Sequence, residues 1–262
     1  MSAPMKPLGR EQMAWRAAQD LPDGGLVNLG LGIPVLAADY LPAGRAVTFQ
    51  SENGVIGVGP LAAPEAADPD LVDAGSRRIT LSRGATIVDS AASFAMIRGG
   101  HIDVTILGAF EVAENGDLAN WDMRLAGKGP LVGGAMDLAV GAKAVWVIME
   151  HNTRSGGSRL LTRCTLPLTA VACVKRVFTD IAVVDVTPEG FVVREILDGM
   201  SAEELQARAA DYLAKQAAVG RLGFQSSGST STSSNEGSLS FPFLPFRWSR
   251  RGASALRARS AA

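Results

Sequence analysis

Leu26-Val27-Asn28-Leu29-Gly30-Leu31-Gly32-Ile33-Pro34 is a short apolar run that ends in a glycine turn, with a proline placed to open a helix. Four residues of this kind suit a buried strand, and a proline at the first helical position has no amide to waste. The strand-turn-helix reading repeats outward along the chain. Candidate strands fall at 26–29, 46–50, 78–81, 103–107, 144–149, 181–186 and 191–195, with candidate helices at 10–20, 34–40, 90–97, 136–140 and 202–218. The last helix has the strongest start signal, because Ser201 and Glu204 have the spacing of a capping box. Strands alternating with helices predict an α/β fold: a mixed, largely parallel sheet covered by helices on both faces.

The chain has 262 residues, 47% hydrophobic and 19% charged, which places it among folded globular proteins. Lys and Arg number 25 against 26 Asp and Glu, so no basic footprint suggests nucleic acid. The sequence lacks an apolar run of membrane-spanning length, and the reading is a cytoplasmic protein without membrane contact. Cys164 and Cys173 are too few for a disulfide framework, and His101 and His151 are the only imidazoles, so neither a metal centre nor a Ser/His/Asp triad is expected. Composition changes near residue 223. Residues 1–222 hold 20 basic and 25 acidic residues, net −5, whereas 223–262 is Ser-rich and then Arg-rich, a low-complexity tail read as disordered and given no function.

Three glycine-bearing turns can carry chemistry. Gly30 and Gly32 permit close backbone approach, and the following helix start offers amides to an anion. Glu52 follows Gly32 by twenty residues, as a ribose-binding acid would, but Val35 stands where a third glycine belongs, so a nucleotide-binding module is the distant alternative. In Gln50-Ser51-Glu52-Asn53-Gly54, continuing to Gly57 and Gly59, a carboxylate sits just past a strand, at the sheet edge where such folds bind ligands. Asn53-Gly54 supports a sharp reversal, and Gly57 and Gly59 are read as openings for substrate. A solvated turn glutamate is the competing reading. Gly133-Gly134, just before a short helix, can present consecutive amides to an oxyanion, while Asp122 and Asp137 read as capping or turn acids.

Together, Gly30-Leu31-Gly32-Ile33-Pro34, Ser51-Glu52-Asn53-Gly54, the run from Phe94 to Asp103, Gly133 to Leu138 and Cys164 to Thr169 resemble the B subunit of 3-oxoacid CoA-transferases. The resemblance covers about residues 8–206 and implies the mixed α/β fold of that family. It implies Glu52 as the catalytic nucleophile, a coenzyme A thioester as substrate with no bound cofactor, and an A subunit as partner in a heterodimer or heterotetramer. Gly133 and Gly134 are candidate oxyanion donors; Asn53, Gly30 and Gly32 are candidate substrate contacts. Succinyl-CoA is the implied donor. The acceptor reads as 3-oxoadipate ahead of acetoacetate, although the stretch 122–132 departs from the pattern common among relatives. The tail has no counterpart.

Overall fold

The computed structural model describes residues 6–127 and 129–209. Five strands run parallel at the centre: β1 (Leu26–Leu29), β2 (Thr48–Ser51), β5 (Val104–Leu107), β8 (Ala144–Ile148) and β10 (Val174–Phe178). Antiparallel hairpins extend both sides. β3 (Val55–Leu61) and β4 (Ile79–Ile87) continue from β2, while β11 (Ala182–Thr187) and β12 (Gly190–Ile196) continue from β10. The order across the nine strands is β12-β11-β10-β8-β5-β1-β2-β3-β4. A small second sheet is formed by β6 (Glu111–Ala113), β7 (Leu118–Ala119) and β9 (Leu160–Leu161).

Alternation along the central strands sorts side chains to two faces. Val27, Phe49, Val104 and Ile106 pack with Met13 and Ala17 of α1 (Arg10–Ala18) on one face. Leu107, Val145 and Val147 pack on the other with Ile97 of α2 (Ser90–Arg98), Leu138 of α3 (Ala135–Gly141) and the small sheet. Helix starts follow side-chain chemistry. Asp89 accepts from the Ala92 amide at 2.7 Å at the head of α2, and Ser201 and Glu204 form the expected reciprocal box at α4 (Ala202–Arg208). α4 ends at its C-cap, Ala209; residues 210–218 of the expected 202–218 helix and the 223–262 tail lie outside the described residues.

Two expectations need correction. Residues 34–40 form a 3-10 helix rather than an α-helix, opened by Pro34 as foreseen. Gly57 and Gly59, read as part of a turn open to substrate, lie within β3 against β4. A Cβ at Gly57 would come 2.9 Å from Ala85, and one at Gly59 would come 2.5 Å from the Thr80 hydroxyl, so these glycines serve strand packing.

β1 and β5 are neighbours whose chain connections leave in opposite directions across the sheet, which makes a crevice at their C-terminal ends. Gly30 sits there. Its amide donates to the Ile106 carbonyl at 2.8 Å, and a Cβ would approach that oxygen to 3.0 Å. The ends of β1, β2 and β5 thus form the edge on which the site is built.

Candidate active site

Glu52 is the first residue after β2, in a tight turn closed by the Gly54 amide donating to the Ser51 carbonyl at 2.9 Å. Gly54 has φ of 119°, and a Cβ there would run into the Val88 carbonyl oxygen, so glycine is required by both conformation and space. The flanks of the turn are tied down. Ser51 Oγ accepts from the Ala74 amide at 2.8 Å, and Asn53 Nδ2 donates to the Val72 carbonyl at 2.9 Å. Asn53 therefore spends its amide on the neighbouring loop.

The Glu52 carboxylate is half-buried against α3. The Gly134 amide hydrogen-bonds it, and a Cβ at Gly134 would overlap one carboxylate oxygen and come 2.9 Å from the Phe94 ring of α2. Burial raises the carboxyl above its ordinary 4.5; the Gly134 bond pulls it down and the nearby Asp137 charge pushes it up. Asp137 is itself paired with Arg98 at 2.7 Å, and Arg98 lies over Phe94. Gly133, beside this contact, is exposed, with open space where a Cβ would stand. The sequence-selected Glu52 and Gly134 thus come together, and Gly133 lies at the open side.

Gly30 and Gly32 serve the turn after β1. Gly30 gives close approach to β5, while Gly32 has φ of 88° and is exposed beside Arg10. Both cysteines are half-buried near the Gly116-Asp117 turn, where Cys164 Sγ contacts the Asp117 carbonyl and the Cys173 amide donates to the Gly116 carbonyl. His151 is buried beside Thr179, and its Nε2 has no partner among the described residues. No group of three or more His, Cys, Asp and Glu side chains that could hold a metal occurs among the described residues. Nor is any helix among them long and apolar enough to cross a membrane.

Sequence reasoning passed over a buried polar chain beneath the turn. Asn28 Nδ2 donates to Gln50 Oε1 at 2.6 Å, Gln50 Nε2 donates to Ser93 Oγ at 2.7 Å, and Thr105 Oγ1 reaches Asn28 Oδ1 at 3.4 Å. All four side chains are at most 2% exposed. The signal was present: Asn28, Gln50 and Thr105 are polar residues at buried positions of strands, where a partner is obligatory.

The family model described as Coenzyme A transferase matches residues 10–208. The B subunit of the 3-oxoadipate CoA-transferase of Pseudomonas putida is 50% identical over 201 residues, covering 77% of this chain and 94% of that protein. The B subunit of a probable succinyl-CoA:3-ketoacid coenzyme A transferase of Bacillus subtilis is 47% identical over 214 residues, covering 80% and 97%. Among solved structures, an acyl-CoA transferase of Escherichia coli O157:H7, in a thioester complex with CoA, superposes with a TM-score of 0.59 at 18% identity. That match covers 81% of this chain but only 42% of the longer enzyme, and at this identity it speaks for the fold alone. A nucleotide-binding module is thereby set aside: with a carboxylate turn locked against a glycine amide and a family match across nearly all of the described residues, the chain belongs to the coenzyme A transferase family.

Proposed function

We propose that this chain is the B subunit of a 3-oxoacid CoA-transferase that moves CoA from succinyl-CoA to a 3-oxo acid through a glutamyl-CoA thioester on Glu52. The observation that carries the reading is the half-buried Glu52 carboxylate at the end of β2, bonded by the Gly134 amide and open on the Gly133 side. Partial desolvation raises its basicity, which favours a nucleophile over a spectator. A carboxylate oxygen of Glu52 attacks the thioester carbonyl carbon, the C–S bond breaks, and CoA leaves as thiolate from a mixed anhydride. The thiolate then attacks the Glu52 carbonyl carbon, releasing the donor acid as its carboxylate and leaving the thioester on Glu52. The acceptor acid repeats these steps in reverse. Gly133 is favoured as oxyanion donor, since Gly134 is already engaged with the carboxylate.

An A subunit is proposed to complete the site. Support comes from the relatives, which are named as B subunits, and from exposed apolar side chains that flank Gly133-Gly134 along the chain. Leu131, Val132 and Val140 are 69%, 73% and 78% exposed, on either side of Gly133 and Gly134. Heterodimer and heterotetramer both fit. For the acceptor we favour 3-oxoadipate over acetoacetate, following the relative at 50% identity. Residues 1–222 are taken as the functional body, in the cytoplasm, and removal of 223–262 is expected to leave turnover unchanged.

The test is covalent. Incubating the complex of both subunits with succinyl-CoA and no acceptor should load CoA onto this chain; borohydride should then leave an alcohol at residue 52 in the 49–59 peptide. Loading at another acid would relocate the nucleophile, and none under single-turnover conditions would remove the covalent route. Turnover with 3-oxoadipate against acetoacetate decides the acceptor.

A further inference from the structure

We propose that Gln50 and Ser93 are positioning residues: their buried hydrogen bond fixes α2 to β2 and so sets the separation between the Glu52 carboxylate and the Gly134 amide. Two routes connect the same elements. Directly, Gln50 of β2 donates to Ser93 of α2 at 2.7 Å. Indirectly, Glu52, two residues past Gln50, meets Gly134, and Gly134 lies against Phe94, the residue after Ser93. The helix that anchors on Gln50 is therefore the one whose ring backs the glycine that holds the nucleophile.

Alternation explains why these side chains meet. Phe49 faces α1, so Gln50 faces α2, and Asn28 and Thr105 occupy the matching rows of β1 and β5. Asn28 pairs with Gln50 in register and orients it: the Gln50 oxygen accepts from Asn28, which leaves its NH₂ group to donate to Ser93. At 2% and 0% exposure, water cannot readily replace either partner. Losing the Ser93 hydroxyl leaves a buried Gln50 donor unpaired, which is relieved only by moving α2 or Gln50. Either motion loosens the contact between Gly134 and Glu52.

The proposal rests on Glu52 as nucleophile for its catalytic meaning, so the experiment separates the two. Ser93→Ala and Gln50→Met are made singly and together in the full chain. The Glu52 carboxyl is titrated by carbon NMR in the chain itself, and turnover is measured with the partner subunit. Because Asp137 faces Glu52 and is paired with Arg98, the titration is read with that pair intact. Weakening an amide bond to a carboxylate raises its pKa, so both single variants should titrate higher than wild type at Glu52. Their kcat should fall about tenfold to a hundredfold, with KM for the acyl-CoA changed by less than about twofold. The double variant should be no worse than the poorer single one, as expected when two partners share one bond. Ser93→Thr, which keeps the hydroxyl, should restore wild-type titration. An unchanged Glu52 titration and kcat in folded variants, whatever their melting temperature, overturns the proposal. Failure of wild type to take CoA at residue 52 overturns the nucleophile instead, and the titration shift still decides whether this bond holds carboxylate and amide together.

Discussion

Gly134 hydrogen-bonds the Glu52 carboxylate through its amide, and it lies so close that any Cβ at this position would overlap a carboxylate oxygen. The backbone of Gly134 is ordinary, with φ of −70°, so a side chain here is opposed by the Glu52 carboxylate and the Phe94 ring, which would have to shift, and not by conformation. The neighbouring Gly133 meets nothing within 4 Å. Of the two adjacent glycines, only Gly134 is therefore held to glycine by its surroundings.

Gly134→Ala should displace Glu52 and cut turnover by about a hundredfold, with a stability cost of about 1–3 kcal/mol from overpacking against Phe94. Gly133→Ala keeps its amide and has room, so it should fold normally and lose far less activity. Paired melting curves and steady-state rates check both. Equal losses at the two positions would show that the Glu52 contact is not the reason.

Placing Glu52 here costs stability. Burial raises its carboxyl above 4.5, so between the unfolded and folded values the native chain holds more protons than the unfolded one. Stability then falls as pH rises through that window and stays lower above it. Glu52→Gln should melt higher than wild type at pH 7 while losing transfer, and its advantage should vanish at about pH 4. A variant that melts lower at pH 7 would mean the carboxylate is a net stabiliser.

His151 predicts the opposite slope. Burial, and secondarily the Arg208 charge, lowers its imidazole from 6.5 to about 4. The unfolded chain binds the proton first, so stability is full above about 6.5 and declines as pH falls toward 4. At 2% exposure the loss over that range should be about 2–3 kcal/mol. His151→Leu should flatten the decline whatever it does to stability at pH 7. Denaturant midpoints taken across this range would refute the assignment if wild type and variant fall in parallel.

How much of this was legible in the sequence depends on whether a residue's reason is local. β1, the capped start of α4 and the Glu52 turn could be read because apolar runs, caps and Asn-Gly reversals act over a few residues. β3 was lost because Gly57, Gly59 and Pro60 look like a loop, whereas here glycines let β4 approach. β10 was lost because Lys175-Arg176 interrupts its apolar pattern. Arg176 is in fact paired with Asp20 and Asp185 and stacked over Trp146, a set of partners drawn from distant parts of the chain. The Gln50–Ser93 bond was invisible for the same reason: 43 residues separate its ends. The meeting of Glu52 with Gly134 was reachable only by resemblance, since nothing local joins them.

The final prediction separates a carboxylate nucleophile from a thiol. Burial first, and then the charges of Glu111 and Asp117, pushes the Cys164 thiol up to about 12; burial pushes Cys173 up to about 11. Thiolate is the reactive form, so at neutral pH both should alkylate about a hundredfold or more slower than a free thiol. Neither lies in the Glu52 turn, and their backbone contacts are with residues 116 and 117. Iodoacetamide at pH 7 should therefore leave the native complex fully active, and Cys164→Ser with Cys173→Ser should turn over normally and still load CoA at residue 52. Denaturant should expose both thiols to rapid modification, which confirms that burial was the protection. Turnover lost in step with alkylation of either cysteine would place a thiol at the reacting centre and displace Glu52 from it.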